Sequence, residues 1–205
     1  MRALVMIQPP EGVEAFEAGL TDPTAEVRVI ASAGWMKAAA VPATAGPALV
    51  EALRDPEAQV RANAAHALAR LDELPSEAVP ALRECASDPN DGIRLNAALA
   101  LRLAPPAAVA DLMDHLLDDP SVRVRLVAAG AVLGADSANA RAAAVVLAAA
   151  DDPSPRVGAV AQRVGANRAE SVQQRGPTSR GRSRAAAHAG RTRRVMPRRI
   201  SRPTL

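Results

Sequence analysis

The sequence has no tyrosine, one phenylalanine and one tryptophan among 205 residues. A β-sandwich or barrel needs alternating aromatic and β-branched residues, and that alternation is missing, so an all-β architecture is excluded. Cys85 is the single cysteine, which excludes an intrachain disulfide and a thiolate metal cluster. No apolar run reaches the ~18 residues of a membrane span. Met1–Glu11 carries no long apolar stretch before a cleavage site, so no signal peptide is read there. What the chain has in excess is alanine: 49 residues, about a quarter of it. Alanine is the best helix former and lets backbones approach closely, so the composition points to packed helices.

The net charge of +3 is a cancellation. Residues 1–166 hold 14 Lys/Arg against 21 Asp/Glu, a net of −7, while residues 167–205 hold 11 Arg and one acid, Glu170, a net of +10. Two unlike segments meet near residue 166. An acidic body does not suit a nucleic-acid binder, which leaves only the Arg-rich end for phosphate contacts.

A repeat organises the acidic part. Asp-Pro recurs at Asp22, Asp55, Asp88, Asp119 and Asp152, with spacings of 33, 33, 31 and 33. Six residues after each Asp stands Arg28, Arg61, Arg94 or Arg125, and Gly158 in the fifth copy. A β-branched residue precedes each (Val27, Val60, Ile93, Val124, Val157), and Ala31, Ala64, Ala97, Ala128 and Ala161 follow three later. Seven residues before each Pro sits Phe16, Leu49, Leu82, Met113 or Val146. Asp is a good N-cap and Pro suits the first helical turn, so each Asp-Pro is expected to open a second helix, near 24–38, 57–72, 90–104, 121–134 and 154–165. First helices are expected near 11–20, 44–53, 76–86, 106–117 and 138–150. Trp35, Leu68, Leu101 and Val132 extend an apolar stripe on the second helices. One such pair cannot bury its faces alone, so the pairs must stack.

The pattern D-P-x3-[VI]-R-x2-A-A, complete in Asp55–Ala65 and Asp88–Ala98, resembles HEAT repeats, in particular the short Ala-rich form of the phycobilisome-lyase type. The resemblance covers about residues 10–166. It implies an all-α fold, a right-handed α-α superhelix of about five helix pairs with second helices on the concave side. It also implies a ladder between repeats built from Asp22, Asp55, Asp88 and Asp119 with Arg28, Arg61, Arg94 and Arg125. Gly158 removes the Arg from the fifth copy, which reads as an end repeat. Ala3–Pro10 is similar to Ala98–Pro106, so residues 1–9 are either a cap or the end of an incomplete upstream repeat. The expected domains are thus 1–9, the repeats 10–166, and a basic disordered tail 167–205.

Reactive constellations are few. Asp111, His115 and Asp118 share a helical face, but His115 falls in the solvated column of Glu51 and Glu84. His66 stands alone in a variable column with Ala33, Leu99, Gly130 and Arg163. Metal hydroxylases with HEAT repeats carry His-Glu pairs, and this sequence has none. Nucleotide and hydrolase motifs are missing too. Cys85 and Trp35 read as core. The expectation is therefore no catalytic residues, no metal and no cofactor.

The concave face is the expected binding surface, with Val29, Ala62, Leu95 and Leu126 one residue after each motif position and Asn63 and Asn96 next in register. The expected function is a non-catalytic, cytoplasmic scaffold for a protein partner or for another domain of a longer parent chain. The alternatives are an accessory, lyase-like role toward a cofactor-bearing partner, and nucleic-acid association through residues 167–205.

Overall fold

A computed structural model of the chain describes residues 12–175. The segments 1–11 and 176–205 lie outside the described residues, and with them the expected cap 1–9 and most of the basic tail. The described residues form ten α-helices and a short 3-10 turn, Ala43–Ala45, with no strand among them. The first helices of the five pairs are α1 (Val13–Leu20), α3 (Gly46–Ala52), α5 (Ala78–Cys85), α7 (Pro106–Leu116) and α9 (Ala140–Ala150). The second helices are α2 (Ala25–Lys37), α4 (Ala58–Leu68), α6 (Asp91–Leu101), α8 (Val122–Ala135) and α10 (Pro155–Arg175). Each first helix packs on its second helix, and the second helices stack in order from α2 to α10. Contacts between successive first helices are sparser. A two-layer stack curves toward its tighter layer, so the second helices form the inner face.

The repeated columns are the core. Phe16, Leu49, Leu82, Met113 and Val146 are buried, as are Val60, Ile93, Val124 and Val157. The alanine column is closed to solvent in all five repeats. Alanine content therefore has a local cause: it is the residue at which each second helix touches its neighbours.

Small size matters most where α1 meets α2. A Cβ at Gly34 would lie 2.5 Å from the Phe16 ring, and one at Gly19 would lie 2.7 Å from Ala31 Cβ. Gly34→Ala is expected to destabilise by about 1–2 kcal/mol, because overpacking exceeds the gain in helix propensity. Gly134 has nothing within 4 Å of a Cβ, so Gly134→Ala should leave the protein as stable or slightly more so. Urea midpoints of the two variants check this contrast.

Two expectations are corrected. The Asp of Asp-Pro is not the N-cap, since Thr24, Glu57, Asn90 and Ser121 cap α2, α4, α6 and α8. Each Asp lies two residues earlier, and its Oδ1 accepts the N–H of the residue two further on at 2.8 Å. Proline forces the residue before it into extended backbone, so the chain turns around the Asp carboxylate before it becomes helical. The boundary at 166 also moves. Residues 167–175 continue α10 rather than begin a disordered tail, and Arg168 Nε donates to the Ser137 carbonyl at 3.0 Å. This stretch is polar but rich in helix formers.

Candidate interaction surface

The motif arginines staple one repeat to the next. Arg28 Nη1 donates to the carbonyls of Asp22 and Pro23 in its own turn, while Nε and Nη2 reach the Asp55 carboxylate at 2.6 and 3.2 Å. Arg61 does the same, with the carbonyls of Asp55 and Pro56 and the carboxylate of Asp88 at 3.1 and 2.8 Å. Arg94 holds the carbonyls of Asp88 and Pro89 and the carboxylate of Asp119 at 2.8 and 3.0 Å. Every rung therefore uses a planar guanidinium to join three acceptors. Arg125 holds the carbonyls of Asp119 and Pro120, yet among the described residues it forms no ion pair with Asp152. At the other end, the carboxylate of Asp22 serves its own turn by accepting the Thr24 N–H.

Asp119 shows the electrostatics. Burial would push its carboxyl up. The hydrogen bonds from Arg94 and the Ser121 N–H, with the field of Arg94 and Arg125, outweigh that and hold it below the usual carboxylate value.

The expected contact residues are only partly at the surface. Leu95, Leu126 and Asn63 are buried. Asn63 donates Nδ2 to Ser32 Oγ of the preceding repeat at 3.0 Å and accepts from Gln59. Asn96 is half-buried and donates to the Ala62 carbonyl, again one repeat back, at 3.0 Å. Val29 and Ala62 are half-buried. These registers point along the stack toward neighbouring second helices, so Asn63 and Leu95 are removed as partner-binding residues, and Leu126 remains only as part of a cleft floor.

Two inner-face registers reach solvent, two residues before and five after the motif arginine. The first holds Glu26, Gln59, Gly92, Arg123 and Arg156, all exposed except the half-buried Gly92. The second is the variable column of Ala33, His66, Leu99, Gly130 and Arg163, half-buried except for the exposed Arg163. Its change of chemistry from copy to copy was the available signal. The inner face thus runs from an acid in the first repeat to arginines in the fourth and fifth. Between α6, α8 and α10 it opens into a cleft of about 520 Å³, floored by Leu99, Leu126, Val127, Leu133, Val160 and Val164 and flanked by Arg102, Arg163 and Arg168.

The outer layer uses its charges differently. Asp111 takes Arg83 at 2.5 Å, while Asp114 and Asp118 share Arg141. The three carboxylates beside His115 are thereby engaged by arginines, and no group able to hold a metal ion occurs among the described residues. Cys85 is buried against the Leu53 carbonyl, and that burial pushes its thiol up to about 11. A thiol so protonated is a poor nucleophile at neutral pH. No helix of the described residues is long and apolar enough to cross a membrane.

This geometry is that of an α-solenoid built from stacked helix pairs. Residues 46–132 match the family model of HEAT repeats. Solved structures agree on the fold. A crystal structure of an engineered protein is 23% identical over 82% of this chain and 84% of that chain, with a TM-score of 0.55. A designed armadillo repeat protein is 20% identical over 80% and 89%, with a TM-score of 0.54. The CpcE and CpcF complex of phycocyanin lyase from Nostoc sp. is 25% identical over 74% of this chain, with a TM-score of 0.54. The alignment spans 63% of that lyase chain. Among curated proteins, none matches closely enough to count as a relative. The resemblance to HEAT-like repeats of the lyase type therefore holds at the level of fold.

Proposed function

We propose that the chain is a non-catalytic scaffold that holds a protein partner against its second-helix face, with the cleft between α6, α8 and α10 as the main seat. The observation that carries this reading is the composition of that cleft: an apolar floor beside Arg102, Arg163 and Arg168, on the inner side of a HEAT-repeat fold. Apolar side chains of a partner would supply most of the affinity, and its acidic groups would meet the arginines. The engagement of the outer carboxylates by arginines and the burial of Cys85 support a role without chemistry. The likeness to phycocyanin lyase supports a second reading, in which the bound protein carries a cofactor and the same face holds it.

Arg123 and Arg163 are exposed and make no rung of the ladder. The double variant Arg123→Glu/Arg163→Glu is therefore expected to keep its fold by circular dichroism. It should bind at least tenfold more weakly to the protein that the wild-type chain captures. Equal capture by wild type and variant would remove the inner face as the site. Capture that disappears on nuclease treatment would move the assignment to nucleic acid.

A further inference from the structure

The end of each second helix poses the same problem: its last carbonyls lack intrahelical partners and carry partial negative charge. At the end of α2 an arginine from the next repeat solves it. Arg70 donates Nη1 to the carbonyls of Trp35 and Met36 at 3.3 and 3.0 Å, and Nη2 to those of Ala38 and Ala39 at 2.6 and 3.1 Å. Past the end of α8, Arg168 serves in a related way, donating to the carbonyl of Ser137.

The end of α6 is built otherwise. By repeat register its equivalent carbonyls belong to Leu101, Arg102, Ala104 and Pro105, of which Leu101 and Pro105 accept the Ala104 and Ala108 N–H at 3.1 and 2.9 Å, leaving those of Arg102 and Ala104 for a further donor; the residue in the place of Arg70, nine after the motif arginine Arg125, is Gly134. A Cβ at Gly134 would meet nothing within 4 Å. The space is a cavity of about 490 Å³ whose lining includes Leu101, Ala104, Val109, Met113 and Gly134. Asp114 and Asp136 also line it, and Arg102 is the one cation among its lining residues. Asp114 is already paired with Arg141, and Asp136 accepts the Ala138 N–H.

We propose that this cavity binds the side chain of an arginine presented by a partner polypeptide. The guanidinium would take the place relative to α6 that Arg70 takes relative to α2, donating to last-turn carbonyls, while its aliphatic stem covers Val109 and Met113. A lysine would bring a compact, strongly hydrated charge with fewer, less directed donors, so it fits less well. Arg102, Gly130 and Gly134 line both this cavity and the inner-face cleft. The inference rests on the scaffold reading only for the source of the arginine, and it names an anchor residue of that partner.

The test uses the full chain, labelled with nitrogen-15, and N-acetyl-arginine methylamide as the probe. Its lysine and norleucine counterparts are the controls. The arginine probe is expected to cause saturable shifts of the Ala104, Gly130 and Gly134 amides. Binding of the lysine probe should be at least fivefold weaker, and norleucine should have no effect. Gly134→Arg fills the space from within and Gly134→Met fills its apolar part, and each should weaken the arginine probe at least tenfold at the Ala104 and Gly130 amides. Arg123→Glu/Arg163→Glu should leave the probe's binding unchanged, which separates this site from the partner face. Absence of saturable shifts, equal shifts with norleucine, or full affinity in both Gly134 variants would overturn the proposal. So would movement of these amides, without any probe, when arginines 191, 193, 194, 198, 199 and 202 are replaced by lysine, because the chain's own arginine would then be the occupant.

Discussion

Trp35→Ala is expected to cost about 3–5 kcal/mol, the range for deleting a large aromatic from a closed core. Trp35 is fully buried and packs edge-on against Phe16, with ring centroids 5.5 Å apart and planes at 66°. The two rings join α1 to α2, and no other aromatic residue exists in the chain to share that task. The indole Nε1 has no hydrogen-bond partner among the described residues. Its loss therefore removes volume and ring contact only. Trp35→Phe keeps a ring against Phe16 and sheds the unpaired N–H, so it should cost about 1–2 kcal/mol. Denaturation followed by far-ultraviolet circular dichroism measures both, since the variants have no tryptophan to report by fluorescence. A phenylalanine variant as unstable as the alanine variant would refute this account. Stability in stacked repeats is largely a nearest-neighbour sum, so the first pair should melt ahead of the rest in Trp35→Ala.

Arg94→Ala is expected to cost about 2–4 kcal/mol at neutral pH, through a buried carboxylate left without its cation. Asp119 is 7% exposed, and among the described residues two of the three hydrogen bonds to its carboxylate come from Arg94. In the wild type its carboxyl is held below the usual value. The stability it contributes is therefore fully present above about pH 4, the ordinary aspartate value, and is lost as pH falls through the lower folded value. In the variant the desolvation of Asp119 is no longer offset by Arg94, so its ionised form is the costly one. The gap between variant and wild type should be widest near pH 7 and narrow in acid as Asp119 takes a proton. A gap that is constant from pH 7 to pH 3 would show that Arg94 acts through packing rather than charge. A double-mutant cycle with Asp119→Ala isolates the pair.

The stacking logic was legible in the sequence because it repeats. Asp-Pro, the arginine, the β-branched residue and the alanine recur in fixed register, and each turned out to occupy the same place in its helix pair. The free surface was harder to read. A second helix inside the stack packs on its own first helix and on the second helices before and after it, and α8 packs on α9 as well. Only a narrow strip remains open, and residues that look like surface residues are drawn inside. Asn63 and Asn96 are amides of the kind expected in a groove, but they satisfy donors and acceptors across a repeat junction. The cap was misplaced by two residues for a similar reason, since the Asp side chain that resembles a cap serves the backbone just ahead of the helix. The length of α10 was hidden because its last residues match no repeat column, although helix-forming residues do not need one.

The ladder also has a direction. Each arginine reaches forward to the next repeat, and the last carboxylate rung joins Arg94 to Asp119. The fourth and fifth repeats are instead linked by apolar packing, by the exposed pairs of Arg141 with Asp114 and Asp118, and by Arg168 on Ser137. Exposed ion pairs contribute little rigidity. The joint after α8 thus lacks a carboxylate rung among the described residues and rests on helix packing, with α8 set against both α9 and α10. It is also the joint that sets the gap between α8 and α10. The cleft therefore lies where the array passes from carboxylate rungs to helix packing as its means of joining repeats.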